Sequence, residues 1–264
     1  MANGTERRSD ERTHETAGEA RPGRTALVTG ASRGLGRALA VALAARSVRV
    51  ALVARREGPL ERAVDAIRRA GGEAHALPAD VAAPDAAARI AGAARAVLGP
   101  SDLLIHNAST LGPVPLAPLA ETSDQDFARA LAANVAGPFA LTRAVVGEMV
   151  QRGRGTVVHL SSDAAVEAYA TWGAYGASKA ALDHLSRIWA AELEGTGVRV
   201  LAVDPGEMDT RMHADAMPEA DRSTLAAPAD VAARILRLLD EEALAPSGAR
   251  VRASDVAPGA EAAR

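Results

Sequence analysis

Tyr175 and Lys179, four residues apart, are the pair in this sequence best suited to proton chemistry. In a helix that spacing puts both side chains on one face. A free phenol has a pKa of about 10 and exchanges protons poorly near neutrality. A cation at ~4 Å in an effective dielectric of ~20 contributes up to ~4 kcal/mol, which lowers a phenol pKa by up to about 3 units. A tyrosine tuned in this way donates or accepts a proton at physiological pH. Lys179 is the single lysine among 30 basic residues, and Tyr175 is one of two tyrosines. Taken alone, a Tyr/Lys pair at this spacing is more often an ordinary helix surface.

A second group suits phosphate binding. Gly30-Ala31-Ser32-Arg33-Gly34-Leu35-Gly36 follows a short apolar run and precedes a helical pattern. Glycines there let backbone amides at a helix start approach a pyrophosphate without Cβ atoms in the way. The position, between the first strand and first helix of a βαβ series, separates this turn from an ordinary connection. No Gly-Lys-Ser/Thr follows, which excludes a P-loop. The second strand ends in Ala54-Arg55-Arg56 and lacks the acid that meets a ribose 2′-hydroxyl. Arg55, with Arg33 from the glycine turn, suits a 2′-phosphate and hence NADP(H), the competing reading being a solvated surface pair.

These residues need a scaffold, and the pattern supplies one. Val- and Leu-rich runs at 25–29, 48–53, 103–106, 156–160 and 198–203 read as strands buried on both faces, with weaker strands at 74–77 and 249–252. Helices are expected at 35–46, 59–70, 84–98, 124–133, 140–151, 175–194 and 228–239, their ends marked by glycine and proline. The alternation specifies an α/β fold, a doubly wound parallel sheet of Rossmann type with helices on both faces. Residues 25–254 form one domain, flanked by polar stretches at 1–24 and 255–264 that read as disordered tails.

Composition narrows the function classes. The chain has 264 residues, 30 basic against 33 acidic, and interspersed signs, so neither nucleic acid nor a membrane surface is an expected partner. With no cysteine, disulfides, cysteine zinc sites and catalytic thiols are excluded. No His/Asp/Glu set reads as a metal site. The longest apolar stretch, 130–142, is broken by Asn134, Gly137 and Pro138, which argues against a membrane helix. Without targeting features the cytoplasm is the expected location.

Together these motifs resemble the short-chain dehydrogenase/reductase family, in its compact single-domain branch. Residues 29–36 match the family's TGxxxGxG and residues 175–179 its YxxxK. The resemblance implies roles for further positions. Ser162, thirteen residues before Tyr175, stands at the place of the catalytic serine, and Asn134 at that of the asparagine completing a tetrad with Tyr175 and Lys179. Asp80 and Val81 match the adenine-contacting pair, Asn107 the cofactor wall, and Pro205, Gly206 and Thr210 the loop around the nicotinamide. With Gly30, Ser32, Arg33, Gly34, Leu35, Gly36, Arg55, Tyr175 and Lys179 they make up the expected cofactor contacts. The implied activity is hydride transfer between NADP(H) and a small-molecule carbonyl or secondary alcohol. In it Tyr175 exchanges the proton, Ser162 holds the substrate oxygen, Lys179 tunes the phenol and Asn134 positions a water relay. The implied assembly is a homodimer or homotetramer.

Two places depart from the family pattern. After the fourth strand the chain reads His106-Asn107-Ala108-Ser109 where NNAG is common, and His106, like His159, reads as a structural histidine. The end reads Val251-Arg252-Ala253-Ser254-Asp255, without the glycine pair of many members, which touches the expected tetramer contacts. Met212, His213 and Met217 read equally as pocket lining or packing, while 109–120 and 164–174 are expected to wall the pocket. The alternatives are a 3-oxoacyl thioester reductase, an NADP-sensing regulator without catalysis, and a Rossmann-like methyltransferase, the last disfavoured by Arg55.

Overall fold

The computed structural model describes residues 23–257. The expectations for 1–22 and 258–264 lie outside these residues. Seven parallel strands line up in the order β3-β2-β1-β4-β5-β6-β7: β1 Thr25–Thr29, β2 Arg49–Ala54, β3 Ala74–Pro78, β4 Leu103–His106, β5 Gly155–Leu160, β6 Val198–Asp204 and β7 Arg250–Arg252. The order reverses between β1 and β4, and a crevice opens there at the carboxyl ends of the strands.

Alternation along each strand feeds two cores. Val28, Val50, Leu52, Ile105, Val158 and Leu201 face α1 (Gly34–Ala45), α2 (Glu57–Arg69) and α8 (Pro228–Asp240). Leu27, Val53, Leu104, Val157 and Val200 face α3 (Ala86–Leu98), α5 (Gly137–Gln151) and α6 (Gly173–Glu192). The remaining helices, α4 (Asp124–Leu131) and the short α7 (Arg211–Ala216), border the crevice, and α7 lies where no helix was expected from the sequence.

The expected break between helices 124–133 and 140–151 is not present. A π-helical turn, Ala132–Ala136, joins α4 to α5, and the Gly137 amide donates to the Ala132 carbonyl five residues back. Pro138 then stands at the start of a new helical register, where a missing N–H is tolerated. The joined run, Asp124–Gln151, is long and apolar enough to cross a bilayer by length and composition. Here Leu141, Val145 and Met149 pack it on the sheet. At the other end of the described residues, Ala253–Asp255 forms a 3-10 turn and Val256 packs into the first core.

Candidate active site

The turn after β1 builds one wall of the crevice. Gly30 has φ +65° and Gly34 φ +53°, backbone conformations that favour glycine. Asn107, just past β4, donates from Nδ2 to the Thr29 and Gly30 carbonyls at 3.0 and 3.1 Å, which staples the turn to the neighbouring strand. Thr29 Oγ1 accepts from the Asn107 and Ala108 amides, both at 3.0 Å. Helix α1 starts with no side-chain cap and no acid in its first turn, so its leading amides keep their hydrogen-bonding capacity at the crevice. A dinucleotide pyrophosphate fits that end. Thr29 escaped the sequence reading, although it is the first residue of the TGxxxGxG match.

The cavity along this wall encloses about 1450 Å³. At one end it is lined by Arg33, Arg37, Arg55 and Arg56, and among the described residues none of these four forms an ion pair. Asp80 and Val81 flank the middle, with Asp80 Oδ1 accepting from the Ala82 amide at 3.0 Å. Ser32, Gly34, Leu35, Asn107, Pro205, Gly206 and Thr210 also line it, whereas Gly36 sits behind the turn against Gly30 and Asn107.

The far end gathers the expected proton-handling residues. Ser162 follows β5, while Tyr175 and Lys179 share the inner face of α6 and are buried. Lys179 Nζ donates to the Leu160 carbonyl at 2.6 Å and lies 5.5 Å from the Tyr175 ring centre. The expected downward shift of the phenol is reversed. Burial pushes Tyr175 up to about 12, the Ser162 hydroxyl opposes the shift, and Asp163, Asp204 and Asp183 add to it. The physical reason is that desolvation penalises the phenolate, and the lysine is engaged elsewhere. Burial also brings Lys179 down to about 8, against the pull of Asp183 and Asp204.

Asn134, carried by the π-turn, is buried and fully bonded. Its Oδ1 accepts from Ser109 Oγ at 3.1 Å and the Thr110 amide at 2.9 Å, and its Nδ2 donates to the Thr110 carbonyl and Ser178 Oγ, each at 2.8 Å. Ser178 Oγ in turn donates to the Tyr175 carbonyl at 2.7 Å, so Asn134 braces the helix that carries Tyr175 and Lys179.

Sequence reasoning passed over Asp163. It lines the cavity and accepts from Ser162 Oγ and the Ala164 amide on Oδ1 (2.9 and 2.8 Å) and from the Tyr169 hydroxyl on Oδ2 (2.9 Å). Tyr169, Trp172, Leu111, Met212, His213 and Met217 complete this end, so the two methionines and His213 do line the pocket. His106 is satisfied by Thr142 at 2.8 Å; His159 bonds Ser186 through Nδ1 at 2.9 Å while its Nε2 is buried without a partner among the described residues.

Fold and constellation define a Rossmann-type α/β domain with a Ser–Tyr–Lys set facing a dinucleotide-sized crevice. Residues 24–221 match the profile of the short chain dehydrogenase family. A short chain dehydrogenase of Pseudocercospora fijiensis is 40% identical over 195 residues, 73% of this chain, and the match spans only 62% of that relative's length. A short chain dehydrogenase structure from Pseudomonas syringae superposes with a TM-score of 0.80 at 35% identity, covering 88% of this chain and 95% of the other. One from Shigella flexneri, complexed with NADP, gives 0.82 at 29% identity, covering 88% and 98%. The chain belongs to the short chain dehydrogenase family of oxidoreductases.

Proposed function

We propose that this protein is an NADP(H)-dependent reductase of a small-molecule ketone or aldehyde. The observation that carries the reading is the arginine end of the cavity: Arg33 and Arg55, unpaired among the described residues, stand where a 2′-phosphate would arrive. The NADP bound by the Shigella flexneri neighbour agrees with it. The glycine turn and the α1 amides would hold the pyrophosphate, Asp80 and Val81 the adenine, and Pro205, Gly206 and Thr210 the nicotinamide end. When bound, NADPH supplies the hydride.

Tyr175, protonated at neutral pH, donates its proton to the carbonyl oxygen, and Ser162 turns its hydroxyl from Asp163 to that oxygen. Lys179 would hold the ribose, and Asn134 keeps α6 in place. The substrate end, walled by Leu111, Tyr169, Trp172 and Met212, suits a carbonyl compound with an apolar substituent. We further propose a homodimer or homotetramer, supported by Phe139, Val150 and Ile188 exposed on α5 and α6; sedimentation velocity showing only monomer would contradict it.

The test is fluorescence titration with NADPH and NADH, followed by turnover of ketones and aldehydes. NADPH is expected to bind more tightly, and Arg55→Glu to weaken it about 10- to 100-fold, the worth of a charge-assisted hydrogen bond, with NADH nearly unaffected. Equal affinity for the two cofactors, or no turnover across the panel, would overturn the reading.

A further inference from the structure

We propose that Arg250, on the edge strand β7, is a positioning residue of this site: one guanidinium holds the Ser162 backbone and both buried carboxylates that flank Tyr175 and Lys179. The proposal rests on the reductase reading for its kinetic consequences. Its structural basis does not.

Arg250 Nε donates to Asp183 Oδ2 at 2.8 Å, and Nη2 donates to the Ser162 carbonyl at 2.7 Å and to Asp204 Oδ2 at 3.1 Å. Each acceptor belongs to a different part of the site. Asp183 lies on α6, one turn beyond Lys179; Asp204 ends β6 and leads into Pro205-Gly206; Ser162 ends the segment after β5. The Asp183 and Asp204 side chains are only 5% and 4% exposed. Buried carboxylates without a counter-charge are costly, and a planar guanidinium can serve three acceptors at fixed angles where an ammonium cannot.

Arg250 therefore does two things at once. It sets where Ser162 stands relative to Tyr175, and it neutralises the anions that would otherwise bias the proton affinity of the neighbouring groups. Tyr175 is faced by Ser162, Asp163, Asp183 and Asp204, and Lys179 by Asp183, Asp204 and His159, which burial keeps neutral. The other cation nearby, Arg252, is half exposed with Nε 3.9 Å from Asp204, too remote to replace Arg250. Arg250 lies outside the family match at 24–221 and inside the C-terminal stretch that lacks the common glycine pair.

The single lysine makes a direct test possible. Labelling with [13C-ε]lysine yields one lysine resonance, that of Lys179, in the protein without cofactor or substrate. Its titration midpoint is expected near 8 in the wild type. Arg250→Met should raise it by about one unit, a tenfold gain in proton affinity, because two carboxylates lose their counter-cation. In the same variant carbonyl turnover should fall about tenfold or more, by misplacement of Ser162, with NADPH affinity nearly unchanged. Arg250→Lys adds a second lysine resonance, told apart from that of Lys179 by comparison with the wild-type spectrum; the Lys179 midpoint should be kept, since charge is retained, and turnover still lost, since the ammonium cannot reach all three acceptors.

A wild-type midpoint in folded Arg250→Met overturns the proposal. If that variant does not fold, Arg250→Lys decides: wild-type turnover with an unchanged pH profile would leave Arg250 a purely fold-supporting role and overturn it. Wild-type protein that turns over no carbonyl would sink the reductase reading alone, because the lysine titration needs no chemistry.

Discussion

Tyr175 and Lys179 were legible as a pair because an i, i+4 spacing survives any detail of packing. Their proton affinities were not, because those depend on water exclusion and on where the ammonium points. Burial leaves the phenol protonated, up to about 12, and the ammonium donates to Leu160. A protonated phenol is the form that delivers a proton, but at this proton affinity it is a weaker acid than a free phenol, so burial alone does not tune Tyr175 for reduction at neutral pH. Tyr175→Phe is expected to cut carbonyl turnover by roughly 10²- to 10⁴-fold, the range for a general acid, while NADPH binding by fluorescence stays close to wild type. Retained turnover would remove Tyr175 from the chemistry. Asp163 could not be read from the sequence, because a lone acid beside a serine carries no periodicity, and only the folded segment shows it accepting from Ser162 and Tyr169.

Among the elements, the strands and most helices follow from apolar runs and glycine stops, and their bounds differ by a residue or two. The exception is the run from α4 to α5. Gly137-Pro138 reads as a breaker, yet the π-turn shifts the register so that Pro138 owes no amide. That shift depends on tertiary packing: Asn134 is held from three sides, and a Cβ on Gly137 would lie 2.7 Å from the Val81 carbonyl. The glycine turn gives a sharper prediction. A Cβ on Gly36 would lie 2.5 Å from the Gly30 carbonyl and collide with Asn107 Nδ2, the group stapling β1 to β4. Gly36→Ala should therefore lower stability by about 1–3 kcal/mol, the usual cost of overpacking, and weaken NADPH binding as well. Urea denaturation and cofactor titration on the same variant would check both, and an unchanged midpoint would show that Asn107 can move aside.

For the whole molecule, the doubly wound parallel sheet was legible because parallel strands need both faces apolar, whereas the strand order comes from the structure alone. Less legible was the stacked pair His106 and His159, ring centres 4.9 Å apart on adjacent strands. Burial brings His159 down to about 3, and its closeness to Lys179 adds to this. The unfolded chain takes up a proton below about pH 6.5 while the folded chain does not, so this stability is complete above that pH and is lost as pH falls towards 3. The loss amounts to roughly 5 kcal/mol at most. Thermal midpoints are expected to drop between pH 7 and pH 4, and His159→Gln to flatten that slope; an equal slope in both proteins would assign the acid sensitivity to other groups, among them His106, whose proton affinity burial also lowers. The placement of Arg250 also has a consequence in time. Synthesis runs from the amino end, so the β1–α1 cradle is made before β7. Until then Asp183 and Asp204 have no Arg250 partner and Ser162 has no tether, so the cofactor cradle can form before the machinery for proton delivery matures.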